Sequence, residues 1–244
     1  MNTSYRIGRI GDIAIEVHAT FAILLAWVGL DALFASGSPG VAAMELVFVG
    51  LVFGIVLLHE LGHAFTARQF GVRTRAITLL PIGGVAQMDG MPGKPWQEML
   101  VALAGPAVNI GLAIVMLPVA LGGSWLATRL LWVNVGLALF NLIPAFPMDG
   151  GRVLRAALTM YAGPIAATRI AVNVAQVVAV LMGIVGLMGN PMLVLIALFV
   201  WFQADREKQV HGHPPVLDAY FEEALPPRVI VRRVVRRPMD GWRG

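Results

Sequence analysis

The sequence predicts an all-α polytopic membrane protein, with about six transmembrane helices and a small re-entrant β-hairpin between the second and third helices. Composition is the first reason. Of the 244 residues, 58% are hydrophobic and only 13% are charged, whereas soluble proteins carry about 25% charged residues. The second reason is that the apolar runs follow one another too closely for a sizeable soluble insert. We therefore expect residues 1–203 to form one membrane-embedded core.

Six apolar runs define the expected spans. The second, third and fifth approach the roughly 20 residues that a helix needs to cross a bilayer, and the first and fourth lie near the lower limit. The sixth is short, so the fifth and sixth also fit a helical hairpin that crosses incompletely. In chain order the runs are 17–34, 44–65, 96–121, 126–143, 165–188 and 191–202.

The β-hairpin is expected within residues 71–90, between the second and third spans. This segment is rich in β-branched residues, and Gly83 and Gly84 suggest a turn between two short strands. Non-helical backbone near membrane depth is tolerated where protein or a wet cavity covers it. An ordinary surface hairpin explains the same pattern, and the sequence leaves both positions open.

Basic residues set the expected orientation. With both termini in the cytoplasm, only Arg129 of the 18 lysines and arginines lies on the outer side. Residues 204–244 are expected to form a basic cytoplasmic tail, whose run 228–238 either binds anionic lipid, continues as a solvated tail or begins a docking element. No nucleic-acid partner is expected, because no recognised module or aromatic interleaving is present. The sequence does not determine the oligomeric state.

Two absences limit the chemistry. The chain contains no cysteine, so disulfides and thiolate metal ligands are excluded. The first apolar run, 19–30, lacks a convincing small-residue cleavage site and is expected to be a retained helix. A metal site in this chain must therefore be built from histidine and carboxylate ligands.

The most informative motif is His59-Glu60-Leu-Gly-His63, at the end of the second apolar run. Histidines four residues apart project from one face of a helix, as two ligands of a tetrahedral zinc ion must. Glu60 can then reach a metal-bound water and act as its general base. Because charged groups are costly within a membrane, such a cluster predicts a functional site.

Asp149 is the candidate third ligand, since a catalytic zinc site needs three protein ligands and an open position. It follows the fourth span in a proline-broken segment, at the same predicted depth as His59 and His63. The alternative is that Asp149 caps a helix beginning near Arg152. The remaining histidines fit less well. His211 and His213 lie in the polar tail. His18, at the start of the first span, is expected to be interfacial, with a position near the active site as the alternative.

These motifs together resemble the site-2 protease family of intramembrane zinc metalloproteases. The resemblance covers about residues 5–203 and includes the Gly83-Gly84 loop and the motifs His59-Glu-Leu-Gly-His63, Ala104-Gly-Pro-Ala-Val-Asn109 and Asn141-Leu-Ile-Pro-Ala-Phe-Pro-Met-Asp149-Gly. It implies a zinc metalloendopeptidase with one Zn²⁺ per chain, in a bacterial or archaeal cell membrane. Its partners would be the lipid bilayer and a transmembrane protein substrate, cut near the cytoplasmic face in regulated intramembrane proteolysis.

The resemblance also implies roles for individual residues. His59, His63 and Asp149 would hold the zinc ion, and Glu60 would activate the attacking water. Asn141 would lie near the site, where it positions the substrate or helps to polarise its carbonyl group.

Three further residues are implied in substrate binding. Gly83 and Gly84 belong to the hairpin, whose free edge would hold an unwound substrate as an added strand. Asn109 would position the substrate or, alternatively, join helices by hydrogen bonding within the membrane.

The chain departs from many family members in its extra domains. About 30 residues separate spans two and three, too few for a PDZ domain, and the tail of roughly 40 residues is too short for a CBS pair. The expectation is a minimal catalytic core, or a chain cut after that core.

Other classes of protein are weighed against this interpretation. A zinc transporter would need several polar ligand sets along a path, and a catalytically silent zinc-binding adaptor would not need an intact Glu60. A protease with a glutamate as third ligand is disfavoured, because no glutamate lies in a later apolar span between Glu98 and Glu207.

Overall fold

The computed structural model describes residues 4–211, which form seven α-helices and four β-strands. The protein is therefore mostly helical, with a small four-stranded sheet, of which the prediction included only the hairpin between the second and third spans. The elements are β1 Ser4–Ile10, β2 Ile13–His18, α1 Thr20–Ser36, α2 Pro39–Gln69, β3 Thr74–Leu80, β4 Gly83–Met88, α3 Pro95–Leu121, α4 Trp125–Asn141, α5 Asp149–Ala162, α6 Pro164–Leu187 and α7 Pro191–His211.

Three helices in this part of the chain are long and apolar enough to cross a membrane. They are α2 with 31 residues, α3 with 27 and α6 with 24. Each exceeds the roughly 20 residues that the hydrocarbon layer requires. The protein is thus a membrane protein, and crossing by α1, α4 and α7 stays a prediction.

The beginning of the chain differs from the expectation. The first span was predicted from residue 17, but Ile13–His18 forms strand β2 and α1 begins only at Thr20. Strands β1 and β2 pair antiparallel around Gly11, whose φ is +59°. A glycine followed by an aspartate is typical of the two-residue turn of a β-hairpin. The pair at residues 11–12 was therefore a signal in the sequence for this turn.

The four strands form one sheet in the order β1-β2-β3-β4, with β2 and β3 parallel and the outer pairs antiparallel. The hairpin expected within 71–90 is present as β3 and β4. Its turn lies at residues 81–82, immediately before the predicted glycine pair, and Gly83 and Gly84 instead begin β4. Since β4 pairs only with β3, one of its edges is free within the described sheet.

One face of the sheet packs on α2. Ile77 is fully buried, and Ile15 and Leu79 are nearly so, in a cluster that includes Phe53 and Leu61 of α2. Burial of these apolar side chains stabilises the sheet against the helix that carries the His59-Glu60-His63 motif. The sheet is consequently held beside that motif.

Helix α5 was not among the six predicted spans and was considered only in the alternative in which Asp149 caps a helix. It begins at Asp149 itself rather than near Arg152. The preceding loop folds back onto its first turn, where a Cβ on Gly150 would lie 2.3 Å from the Leu142 carbonyl oxygen and one on Gly151 2.7 Å from the Ala145 carbonyl carbon. Glycine at both positions therefore permits the close approach that aims Asp149 inward.

Helix α5 is tied to its neighbours by a buried arginine. Arg155, 7% exposed, hydrogen-bonds Glu98 of α3 and Glu207 of α7. Phe146 in the preceding loop packs under a cluster that includes Ala175 of α6 and Val200 of α7, both fully buried. These contacts fix the helix that carries Asp149.

The boundary of the predicted tail falls within α7, which runs to His211. The rest of that tail, with His213 and the basic run 228–238, lies outside the described residues.

Candidate metal centre

His59 and His63 of α2 meet Asp149 of α5 in one buried group. The Nε2 atoms of the two histidines are 3.1 Å apart, and Asp149 Oδ2 lies 3.2 Å from His59 Nε2 and 3.3 Å from His63 Nε2. All three residues are 6–8% exposed. The structure thereby brings together the three ligands predicted from the sequence, in a group able to hold a metal ion.

The spacing of the three atoms fits a tetrahedral zinc ion. Zn–N and Zn–O bonds of about 2.0–2.1 Å with tetrahedral angles place neighbouring ligand atoms about 3.3–3.4 Å apart. The observed triangle, with sides of 3.1, 3.2 and 3.3 Å, is close to one face of such a tetrahedron. Three donors on one face leave a fourth position, which a catalytic site requires.

Gly105 of α3 keeps space free beside this group. A Cβ at this position would lie 2.3 Å from His63 Nε2 and 2.6 Å from His59 Nε2, almost at the distance of a metal–nitrogen bond. Helices α2 and α3 also approach closely at Gly62, where a Cβ would lie 2.9 Å from the Ala104 carbonyl oxygen. Any larger residue than glycine at position 105 would occupy the ligand sphere.

The outer nitrogen of each histidine has an oxygen partner. His63 Nδ1 lies 2.7 Å from the Val101 carbonyl oxygen, and His59 Nδ1 lies 2.5 Å from Asn109 Oδ1. A carbonyl oxygen can only accept, so the Nδ1 of His63 donates and its Nε2 keeps a lone pair directed at the group. Such partners commonly orient metal-binding histidines.

A second asparagine fixes the same tautomer in His59. Asn134 Nδ2 donates to the Leu130 carbonyl oxygen at 2.9 Å, so Asn134 Oδ1 accepts from Asn109 Nδ2 at 3.0 Å. Asn109 Oδ1 is then left to accept from His59 Nδ1. Because the Leu130 carbonyl oxygen can only accept, it fixes which group donates in each bond of this series. Both asparagines are fully buried.

This chain of bonds favours the second role left open for Asn109, that of joining helices. The side chain does not line the cavity beside the metal group and joins α2, α3 and α4 instead. Sequence reasoning missed Asn134, although an asparagine inside the fourth apolar run was a visible signal of a polar partner.

Replacing Asn134 with leucine is expected to weaken zinc binding by about 10- to 100-fold, the usual effect of losing an outer hydrogen-bond partner of a metal ligand. Asn109 would lose its anchor, and the His59 ring its fixed orientation. Competition with a fluorescent zinc chelator measures the affinity. Thr168→Val is the matched control, since Thr168 is also buried but bonds only to Pro164 of its own helix; equal losses in both variants would contradict this role.

Asp149 is ionised at neutral pH. Burial favours the neutral carboxyl, but in the metal-free centre hydrogen bonds from protonated Nε2 atoms of His59 and His63 outweigh it and lower the pKa of Asp149 to about 2. A bound metal ion takes the place of these ring protons. An ionised carboxylate is the form that binds a metal ion.

A cavity of about 440 Å³ opens beside the group. Its wall includes Glu60 together with the three candidate ligands, so the metal group faces space that a substrate or water can enter. The other predicted residues in the wall are Asn141, Gly83 and Gly84. Asn141 Nδ2 donates to the Leu137 carbonyl oxygen at 3.0 Å, which leaves its Oδ1 without a protein partner among residues 4–211.

Strand β4 passes directly over Glu60. A Cβ on Gly84 would lie 2.6 Å from Glu60 Cγ, so glycine is needed for this approach. The free edge of the sheet and the carboxylate beside the metal group therefore share one cavity.

The fold and the site define the class: a mostly helical membrane protein with a buried His-His-Asp metal centre of the kind found in zinc hydrolases. The model of Peptidase family M50 matches residues 47–129 and 124–185, and the chain belongs to this family.

Relatives and a solved structure agree with this assignment. The chain is 41% identical over 218 residues to a zinc metalloprotease of Methanocaldococcus jannaschii, covering 86% of this chain and 62% of that protein. It is 35% identical over 104 residues to stage IV sporulation protein FB of Bacillus subtilis, 41% of this chain and 36% of that protein. The site-2 protease structure from M. jannaschii matches with a TM-score of 0.63 and 41% identity, over 85% of this chain and 96% of that one.

The chain thus spans less than two thirds of the length of these two curated relatives. Zinc is named in the first of them, and the group of His59, His63 and Asp149 can hold a metal ion.

Proposed function

We propose that this chain is an intramembrane zinc metalloprotease that hydrolyses peptide bonds in transmembrane segments of membrane-protein substrates, near the cytoplasmic face. The observation that carries the proposal is the buried group of His59, His63 and Asp149, with Glu60 in the wall of the same cavity. Membership of Peptidase family M50 supports it. A silent zinc-binding adaptor or a transporter is not favoured, because neither role needs Glu60 beside the metal group.

Each residue of the centre has a distinct task. His59, His63 and Asp149 would hold the zinc ion. When bound, zinc would lower the pKa of its water far below that of bulk water and polarise the scissile carbonyl group. A carboxylate oxygen of Glu60 takes the proton from the attacking water and passes it to the leaving amine.

The substrate lies extended along strand β4. Support comes from the strand order, which leaves one edge of β4 free, and from the position of Gly84 against Glu60. An added strand would lie about 4.7–4.9 Å from β4, which places its backbone within the cavity. Gly83 begins this edge, and Asn141 Oδ1 accepts a hydrogen bond from the substrate in the same cavity.

The protein crosses the membrane six times, with both termini in the cytoplasm. The distribution of basic residues supports this topology, because Arg129 is the single one that it places on the outer side. It donates to both carboxylate oxygens of Glu45 at 2.8 and 3.1 Å, and its guanidinium lies 3.7 Å from the Phe48 ring centre. This pairing neutralises the one exception to the positive-inside rule. Residues 1–203 form the catalytic core, 204–244 the cytoplasmic tail, and the membrane is that of a bacterial or archaeal cell.

Metal removal tests the proposed function. The full chain, reconstituted in vesicles, is incubated with a model transmembrane substrate before and after treatment with a zinc chelator. Cleavage should fall to background when zinc is removed and return when stoichiometric zinc is added, as measured by gel separation of the products. Cleavage that persists in protein shown by elemental analysis to lack zinc would contradict the proposal.

A further inference from the structure

A second cavity adjoins the one that holds the metal group. It measures about 220 Å³, and we name it the basic vestibule. Its lining consists of Phe146, Pro147, Arg152, Gln203, Arg206 and Glu207. Three of these residues, Pro147, Arg152 and Gln203, also line the larger cavity. The vestibule is therefore a side chamber of the catalytic cavity, between the first turn of α5 and the end of α7.

Two arginines of the vestibule are unpaired within the structure. Among residues 4–211, no carboxylate lies within ion-pair distance of Arg152 or Arg206. Arg155 provides the contrast, since it lies one turn further along α5, is buried, and bonds Glu98 and Glu207. Arg152 and Arg206 have no such close carboxylate partner in the described part of the chain: Arg206 is exposed, and the charge of Arg152 acts on Glu60 in the larger cavity.

The donors of the vestibule suit an anionic group. Arg152 and Arg206 contribute two guanidinium groups to its lining. Guanidinium groups bind carboxylates through paired N–H donors, and the Gln203 amide adds a further donor. The lining therefore matches a single carboxylate.

The proposed binding of the substrate along β4 indicates the source of that carboxylate. An extended chain advances about 3.3 Å per residue and directs alternate side chains to opposite sides. Because the vestibule adjoins the larger cavity, a side chain of a peptide lying along β4 can enter it within a few residues of the cleaved bond. We propose that the basic vestibule is a substrate subsite, in which Arg152 and Arg206 bind an aspartate or glutamate side chain near the cleaved bond. This inference rests on the proposed protease function.

A substrate scan tests the subsite. Full-length protein in phosphatidylcholine vesicles is given model transmembrane substrates in which each of the four positions on either side of the cleaved bond carries Gln or Glu. At one position Glu should raise kcat/KM by about tenfold over Gln, the size of one charge-assisted hydrogen bond in a partly solvated site. Arg206→Gln should abolish this preference. Arg169→Gln should keep it, since Arg169 is exposed on α6 and lines neither cavity.

Charge reversal separates recognition from damage to the fold. Arg206→Glu should prefer Lys to Glu at the same substrate position, a gain that a misfolded protein cannot show. Wild-type rates that agree within about twofold across the whole Gln and Glu series would overturn the subsite and leave the protease function standing. Failure of the wild type to cleave any substrate would instead overturn the proposed function.

The phosphate of a lipid headgroup binds arginine as a carboxylate does, so a separate experiment distinguishes the two. The measurements are repeated in vesicles that contain phosphatidylglycerol. The subsite predicts that the Glu preference depends on Arg206 in both kinds of vesicle. If Arg206→Gln alters rates only in the anionic vesicles, and equally for Gln and Glu substrates, the vestibule binds a lipid headgroup and the proposal is wrong.

Discussion

Glu60→Gln should lower kcat by about 10³-fold or more while leaving the zinc content unchanged. The amide has nearly the same size as the carboxylate but cannot take the proton of the attacking water, and general-base catalysis contributes about 10²–10⁴-fold. Zinc should remain, because the three candidate ligands are His59, His63 and Asp149. Single-turnover cleavage and elemental analysis on the same preparation measure both quantities.

Glu16→Gln is the matched control for this substitution. Glu16 lies in β2 and does not line the cavity beside the metal group, so its replacement should leave both the rate and the zinc content unchanged. A Glu60→Gln protein that cleaved at close to the wild-type rate would show that another group accepts the proton.

Gly105→Ala should weaken zinc binding by at least about 10³-fold and abolish cleavage. The added Cβ would lie 2.3 Å from His63 Nε2 and 2.6 Å from His59 Nε2, so both rings must move out of the ligand triangle. Helix α3 itself should tolerate alanine, which favours helix formation by about 0.8–1.0 kcal/mol over glycine. Thermal unfolding and chelator competition separate the two effects.

Gly111→Ala supplies the comparison within the same helix. A Cβ at that position meets nothing within 4 Å, so zinc affinity and cleavage should match the wild type. Stoichiometric, tight zinc binding by Gly105→Ala would mean that the metal is not held between His59 and His63 as proposed.

The helices were predictable where local pattern determines structure. Long apolar runs identified α2, α3 and α6, because a helix that crosses a membrane must be both long and apolar. Strands β1 and β2 were missed because they are short and carry Arg6 and Arg9 in a segment whose partner, β3, is distant in sequence. Helix α5 was missed because it is too polar for an apolar scan and its first turn depends on the loop that packs over Gly150 and Gly151.

The same distinction applies to the site. The histidine pair was predictable because a spacing of four residues defines one helix face, and charge placement gave Asp149 a matching depth. Gly105 and Asn134 were not predicted in their roles. A glycine that leaves space for a metal and an asparagine that orients a ligand through Asn109 have no periodic signature, since both roles arise only when α2, α3 and α4 pack together.

The central claim is that the centre of His59, His63 and Asp149 hydrolyses peptide bonds inside a transmembrane segment. Mass spectrometry of the products formed by the wild type in vesicles tests it most directly, with Glu60→Gln in parallel. The account predicts new chain ends within the apolar segment of the substrate, in its cytoplasmic half, and none with Glu60→Gln. New ends confined to the polar flanks of the substrate, or identical ends with Glu60→Gln, would contradict it.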